Sequence, residues 1–305
     1  MANPPVGVVV MAYGTPKAPS EIEAYYTHIR RGNAPTPEQL ADLTKRYEAI
    51  GGVSPLAERT EAQRRGIEAA LEEQAPGATR VILGQKHAAP FIEDAVTSLA
   101  DAGINHVVGL VLAPHYSGFS VGQYQQRLRD AAAEHGMTTS HIDRWHLEES
   151  YVSFLTGAVQ DALTAMPAKT TVVFTAHSLP ERVLVDDPYP EELSESAAAV
   201  ADALGLASRA GWSLGWQSAG RTPEPWRGPD ILDIIRDLST RDEIDGVLVC
   251  PQGFVSDHLE VVYDLDIEAQ QLADDLGLAF ARTEVLNDHG PVLAALATLV
   301  LNAIP

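Results

Sequence analysis

Cysteine is nearly absent from this 305-residue chain: Cys250 stands alone. One thiol cannot close an intrachain disulfide, and it cannot supply a four-cysteine iron–sulfur cluster within one chain. Cys250 ends an apolar run, so it reads as a buried, inert thiol. Long hydrophobic runs are missing too. None approaches the roughly 20 residues of a membrane span, and no secretory leader pattern precedes the first apolar segment. The expectation is a cytoplasmic protein. Positive charge is scarce: 21 Lys and Arg stand against 42 Asp and Glu, a formal net charge of −21. That argues against nucleic acid and anionic lipid as general partners. No GxGxxG, Walker loop, HExxH or GxSxG occurs, which disfavours nucleotide binding, zinc hydrolysis and serine esterase chemistry together.

What remains is a soluble globular composition, 45% hydrophobic and 21% charged. The length suffices for a full core and for two lobes. Short apolar runs at Val6–Ala12, Arg80–Leu83, His106–Ala113, Thr171–Thr175, Trp212–Gly215 and Gly246–Cys250 predict strands. Helical patterns lie between them, at Glu21–Arg30, Pro37–Ile50, Glu58–Gln74, Ile92–Ala102, Gly122–His135, Tyr151–Ala165, Glu191–Leu204, Ile231–Ser239 and Asp266–Asp275. This alternation predicts an α/β fold with mostly parallel sheets covered by helices. A last helix, Pro291–Ala303, closes the chain and is expected to pack back on the first lobe.

A faint repeat divides the molecule. VVVMAYGTP (Val8–Pro16) matches VVFTAHSLP (Val172–Pro180), Ile82–Val96 matches Ser213–Ile235, and Val111–Val121 matches Val247–Asp257. The matches keep their order, so two similar α/β lobes are expected, residues 1–150 and 151–305. Ligands of open α/β sheets bind beyond the carboxyl ends of the strands. Tyr13 and His177 both sit where an apolar run opens into a loop. His177 there can be a base, a metal ligand or simply a satisfied sheet-edge histidine. His28, His135, His141, His146 and His289 read as surface residues.

After Cys250 comes PQGFVSDHLEVVYDLDIEA, which breaks at Pro251 and Gly253 and then reads as a helix capped by Ser256 or Asp257. Glu260, Asp264 and Glu268 are spaced i, i+4, i+8, which aligns three carboxylates on one helical face. Like charges at that spacing destabilise a helix, and a cation would relieve them. The alternatives are a capping box between Asp257 and Glu260 and a solvated acidic face. The first lobe holds a basic island instead: Arg30, Arg31, Lys45 and Arg46, with Tyr25, Tyr26 and Tyr47 among them and the Gly51–Gly52 turn leading to Ser54. Arginine forks suit carboxylates and aromatic faces suit a planar ring. A salt-bridged surface hairpin is the alternative.

These segments resemble the ferrochelatases. MAYGTP (Met11–Pro16), YYTHIRRG (Tyr25–Gly32), RYEAIGGVSPL (Arg46–Leu56), KHAAPFIEDAV (Lys86–Val96), LAPHYSGFSVGQY (Leu112–Tyr124), TAHSLPE (Thr175–Glu181), DPYPEEL (Asp187–Leu193), GWQSAGRTPEPWRGPD (Gly215–Asp230) and PQGFVSDHLEVVYDLDIEA (Pro251–Ala269) carry the likeness. It is strongest to the short soluble bacterial type, which inserts iron into coproporphyrin III. The resemblance implies two Rossmann-like lobes, each a mostly parallel four-stranded sheet flanked by helices, with a porphyrin cleft between them. It implies that His177 and Glu260 handle Fe²⁺ and the pyrrole protons, and that Tyr13 lies on the opposite face as an axial ligand of the product iron. Arg30, Arg46, Tyr47, Ser54 and Tyr124 match positions that hold the tetrapyrrole and its propionates. Asp264 and Glu268 match an outer acidic site for a second divalent ion such as Mg²⁺. No cluster cysteines and no C-terminal extension are present, which by the resemblance implies no iron–sulfur cluster, no membrane span and a soluble monomer, with neighbouring haem-pathway enzymes as the expected partners. Protoporphyrin IX as substrate, another tetrapyrrole metal chelatase and a non-catalytic haem or metal carrier are the rival readings.

Overall fold

VGVVVMA is β-branched and apolar on both faces, and such a run is stable only where both faces are covered. In the computed structural model, which describes residues 5–208, 210–220 and 222–305, it forms β1 (Val6–Ala12), a central strand. The first lobe continues with α1 (Ile22–Ile29), α2 (Pro37–Ala49), α3 (Leu56–Gln74), β2 (Thr79–Gln85), α4 (Ile92–Asp101), β3 (His106–Val111), α5 (Val121–Glu134) and β4 (Thr138–Ile142). The second contains α6 (Glu149–Leu163), β5 (Thr170–His177), α7 (Tyr189–Leu204), β6 (Trp212–Gln217), α8 (Ile231–Leu238), β7 (Gly246–Cys250) and α9 (Leu259–Val262). A π-helical segment, Asp264–Ala269, follows, then α10 (Gln270–Asp275), β8 (Ala279–Arg282) and α11 (Gly290–Asn302).

The sheets run β2-β1-β3-β4 and β6-β5-β7-β8, the same order twice, with every pairing parallel. The three sequence matches therefore equate β1 with β5, β2 with β6 and β3 with β7. The equivalence extends into loops: the Gln85 N–H donates to Pro90 O at 2.8 Å, and the Trp216 N–H to Pro229 O at 3.0 Å. In each lobe the two central strands send their following loops to one end of the sheet, where the strand order reverses.

Some expectations needed correction. β4 and β8 were not foreseen, because edge strands reading TTSHI and AFAR are only half-buried and carry no apolar run. The helix expected over Asp266–Asp275 begins inside the wide π turn, where the Glu268 N–H reaches back five residues to Tyr263 O at 3.0 Å. Asp257 does not cap it. His258 stands at the cap position, with no side-chain capping bond. His146, read as a surface residue, is buried between the lobes. Among the described residues no helix is long and apolar enough to cross a membrane.

The lobes share one apolar cluster, in which Val8, Leu110 and Ile67 of the first meet Phe174, Leu248 and Leu296 of the second part of the chain. α11 returns to lie along α3, where Gln74 donates to Ala294 O at 3.0 Å. The polar centre of the seam is Gln63, fully buried on α3. Its amide donates to Val255 O at 2.8 Å and Asn287 O at 2.9 Å, and accepts from the Ser256 hydroxyl at 3.1 Å. Nearby, Glu192 of α7 accepts the Tyr116 N–H at 2.6 Å, and Asp187 accepts from Gly118 N–H and the Ser117 hydroxyl. Replacing Gln63 by leucine keeps most of the volume but strands the Asn287 carbonyl and the Ser256 hydroxyl. At about 1–3 kcal/mol per orphaned buried group, Gln63→Leu should lower stability by on the order of 2–5 kcal/mol, read as a shift in the urea midpoint. An unmoved midpoint would rule out this amide as the seam's anchor.

Candidate active site

His177 is the last residue of β5, opposite Gln217 of β6. Its Nδ1 lies 2.5 Å from the Ser178 carbonyl. A carbonyl only accepts, so Nδ1 carries the hydrogen and neutral His177 turns a bare Nε2 to solvent. The same logic applies to His258, whose Nδ1–H donates to Ser256 O at 2.9 Å. Both Nε2 atoms lie 3.6 Å from one carboxylate oxygen, Oε2 of Glu260. Two lone pairs and an anionic oxygen thus converge, and the electrostatics call for a proton or a cation among them. His177 and Glu260 keep 36% and 38% of their side-chain surface, so the space between them can be reached.

Backbone packing brings these groups together. After β7 the chain crosses the end of β5 at Gly253, whose N–H donates to Thr175 O at 3.0 Å. A Cβ there would lie 2.4 Å from the Ala176 Cβ, so any side chain would push the loop off the strand that carries His177. Gln217 donates to Glu260 O at 2.9 Å and fixes the start of α9. The Tyr189 hydroxyl donates to the His177 carbonyl at 3.2 Å. Glu260 therefore faces His177 and His258 and makes no capping box.

The acidic row has internal contrast. Burial raises the Glu260 carboxyl, but His177 and His258, once they carry the proton that this convergence calls for, and then Arg46 outweigh it and hold it below the usual range. Asp264 is buried, and burial, then the charge of Glu260, push it up to about 7 against the pull of Ser218 and Arg46. The Ser218 hydroxyl donates to Asp264 at 2.6 Å, and Arg46 stands 3.6 Å from its other oxygen and over the Tyr263 ring. Glu268, half-buried one step further, adds to the rise at Asp264. Asp266, off the row, makes a two-pronged pair with Arg282. Among the described residues no three His, Cys, Asp or Glu side chains form a ready-made metal cage.

The first lobe contributes the facing wall. Tyr13, just beyond β1, is 43% exposed, yet crowding by the surrounding protein and then the charge of Glu260 raise its phenol. It therefore feels a carboxylate from the other lobe. The Tyr47 hydroxyl is 3.3 Å from Thr15 Oγ1, and Tyr124 is buried on α5 beneath the Lys86 ammonium. Ser54 accepts the Leu56 N–H at 3.2 Å at the start of α3. The basic island is not one anion site here. Arg30 lies over Tyr26 and donates to Asn33 O, while Arg46 is turned to Asp42 and the acidic row. Lys86 carries no functional signal in the sequence, whereas His258 stands in the acidic stretch as an imidazole suited to iron, zinc or copper. The signal for His258 was its place two residues before Glu260 in an extended, pre-helical position.

Comparison with known proteins bears on the family and the fold. The ferrochelatase family model matches residues 5–304. The coproporphyrin III ferrochelatase of Geobacillus kaustophilus (strain HTA426) is 44% identical, covering 99% of this chain and 96% of its own length. That of Bacillus subtilis (strain 168) is 43% identical, covering 100% and 99%. Among solved structures, SirB from Bacillus subtilis with Fe3+ matches with a TM-score of 0.60 at 12% identity, over 98% of this chain and 95% of its own. CbiX, the terminal enzyme for biosynthesis of siroheme in denitrifying bacteria, gives 0.56 at 14% identity, over 98% and 100%. At such identities the two structures speak for the fold alone.

Asp264 yields a test in the metal-free chain. Its folded value lies above the ordinary 3.8, so its contribution to stability is complete below about pH 4 and is lost as pH rises through about 7. Above pH 7 the native state carries a costly buried charge. Asp264→Asn should match the parent near pH 4 and exceed it at pH 8 by on the order of 3 kcal/mol, measured by denaturant unfolding at both values. A difference that does not grow with pH would refute the assignment.

Proposed function

The chain belongs to the ferrochelatase family, and from that premise we propose that it inserts Fe²⁺ into coproporphyrin III, yielding the iron porphyrin of haem b biosynthesis. The observation that carries the reading is the convergence of two bare Nε2 atoms on Glu260 Oε2, each at 3.6 Å. Metallation replaces two pyrrole N–H protons by one Fe²⁺, so two protons must leave and the incoming ion must exchange water for nitrogen. His177 Nε2 accepts one proton or ligates the arriving ion; Glu260 accepts the other. An ion about 2.1 Å from a nitrogen and an oxygen fits inside a 3.6 Å separation. The open geometry suits an ion that is a substrate and has to be passed on.

Asp264, poised at about 7, takes a proton from Glu260 and hands it to Glu268 and solvent. A second divalent ion, Mg²⁺ for example, would sit toward Glu268, since the Arg46 guanidinium already faces the inner end of the row. Tyr13 approaches the product iron from the opposite face as a neutral phenol. Arg30, Arg46, Tyr47, Ser54 and Tyr124 bind the macrocycle and its carboxylates, which requires Arg46 to release Asp264. The boundary between lobes near residue 150, a cytoplasmic monomer and contact with neighbouring haem-pathway enzymes complete the proposal. Protoporphyrin IX remains the nearest rival substrate, and turnover separates any chelatase from a passive haem or metal carrier.

His177→Ala and Glu260→Gln should each lower kcat for anaerobic iron insertion by about 10²–10⁴ without changing the urea midpoint. A silent Glu260→Gln would remove this carboxylate from the chemistry. Coproporphyrin III carries four propionates and protoporphyrin IX two. Arg30→Ala and Arg46→Ala should therefore raise KM about tenfold or more for coproporphyrin and less for protoporphyrin. Equal effects on both porphyrins would sink the role given to the arginines.

A further inference from the structure

The first lobe contains a second pair of imidazoles outside the groups used above. His28 comes from the end of α1, and His87 from the loop that follows β2. Their Nδ1 atoms are 3.0 Å apart. Each ring is braced from another side: His28 stacks on Phe91 with centroids 5.3 Å apart, and His87 packs against Tyr13 at 4.6 Å. The pair opens on a hollow of about 420 Å³ lined also by Thr15, Glu21, Tyr25 and Ala89.

We infer that His28 and His87 form a binding site for a late first-row divalent ion, held cis by the two Nδ1 atoms on the Tyr13 face of the cleft. With metal–nitrogen bonds of about 2.1 Å, a nitrogen separation of 3.0 Å corresponds to a bond angle near 90°, the cis angle of an octahedral ion. The hollow leaves room for the waters that complete such a shell. Without metal the two nitrogens share one hydrogen. On binding, the donating ring moves that hydrogen to Nε2, so both Nδ1 atoms become bare and no proton is released.

The surroundings choose the ion. Lys86 precedes His87 in the chain, and Arg127 donates to the Lys86 carbonyl at 2.7 Å, so two cations stand beside the pair and repel any ion held by charge alone. Mg²⁺ and Ca²⁺, which bind carboxylates electrostatically, are disfavoured. Ions with intrinsic affinity for imidazole nitrogen remain. The acidic row of the second lobe has the reverse preference, so the two faces of the cleft sort divalent ions by chemistry.

Co²⁺ in the absence of porphyrin tests this separately from the proposed reaction. Excess Mg²⁺ occupies the carboxylate row, and a His177→Ala/His258→Ala background removes both imidazoles that face Glu260. Calorimetric titration of that full-length chain should find one bound Co²⁺ that Mg²⁺ does not displace. Adding His28→Ala or His87→Ala should weaken it by at least the ten- to hundredfold that loss of a ligand's hydrogen-bond partner causes. Anomalous scattering from Co²⁺-soaked crystals of the unsubstituted chain should place the ion between the two Nδ1 atoms, and this holds as a test even where a variant folds poorly. Unchanged Co²⁺ binding in both variants, or density elsewhere only, would overturn the site.

Discussion

A single buried amide sets the frame in which the chemistry is possible. Gln63 belongs to the first lobe, but all its hydrogen bonds go to the second part of the chain, at Val255, Ser256 and Asn287. Those residues flank the loop that delivers His258 and Glu260. The same loop is pinned from below where Gly253 meets Ala176 beside His177. A shift of the lobes would therefore move Glu260 relative to Tyr13 and strand buried polar groups at once. The spacing across the cleft inherits the rigidity of a packed interior, which deforms poorly.

Within this frame, neighbouring carboxylates are driven apart in character. Glu260, with two imidazoles and Arg46 around it, stays ionised; Asp264, four residues on and deeper, is pushed toward neutrality. Two carboxyls one helical step apart thus differ in how readily they hold a proton. Asp266, inside the π segment that starts at Asp264, lies off the row and has its charge offset by Arg282.

Much of the fold was legible because its central strands announce themselves. VGVVVMA and GVLVC can only be covered on both faces, and they were placed residue for residue. The in-order repeat correctly paired three strands of each lobe. Edges were illegible for the converse reason: β4 and β8 have one unpaired side and half-exposed residues, so apolar patterning has nothing to mark. The burial of His146 depends on Glu192 and Glu195, some 46 and 49 residues away, and no local pattern encodes that meeting. Spacing exposed the acidic row but hid its geometry. The sequence Asp264–Ala269 has ordinary helical periodicity, and a π turn differs from an α turn only in which carbonyl each N–H selects. The convergence of His258 on Glu260 likewise depends on an extended backbone at the cap, which composition does not reveal.

The two sheets share one strand order, yet their loops are unequal. Each lobe alone is a complete wound sheet with a binding edge, so two copies of a half-length chain, set face to face, would already enclose a cleft. Such a pair would be forced to line both walls with the same residues. Joining the halves in one chain lifts that restriction. His177 could then stand where the other wall has Tyr13, and the loop of Glu260 where the other wall has the loop of His115. A flat ligand between unlike walls has two distinguishable faces, and a ring substituted unevenly along its rim can enter in only one orientation. The asymmetry of the reaction is therefore a property of having one chain, written in the divergence of two halves that began with the same plan.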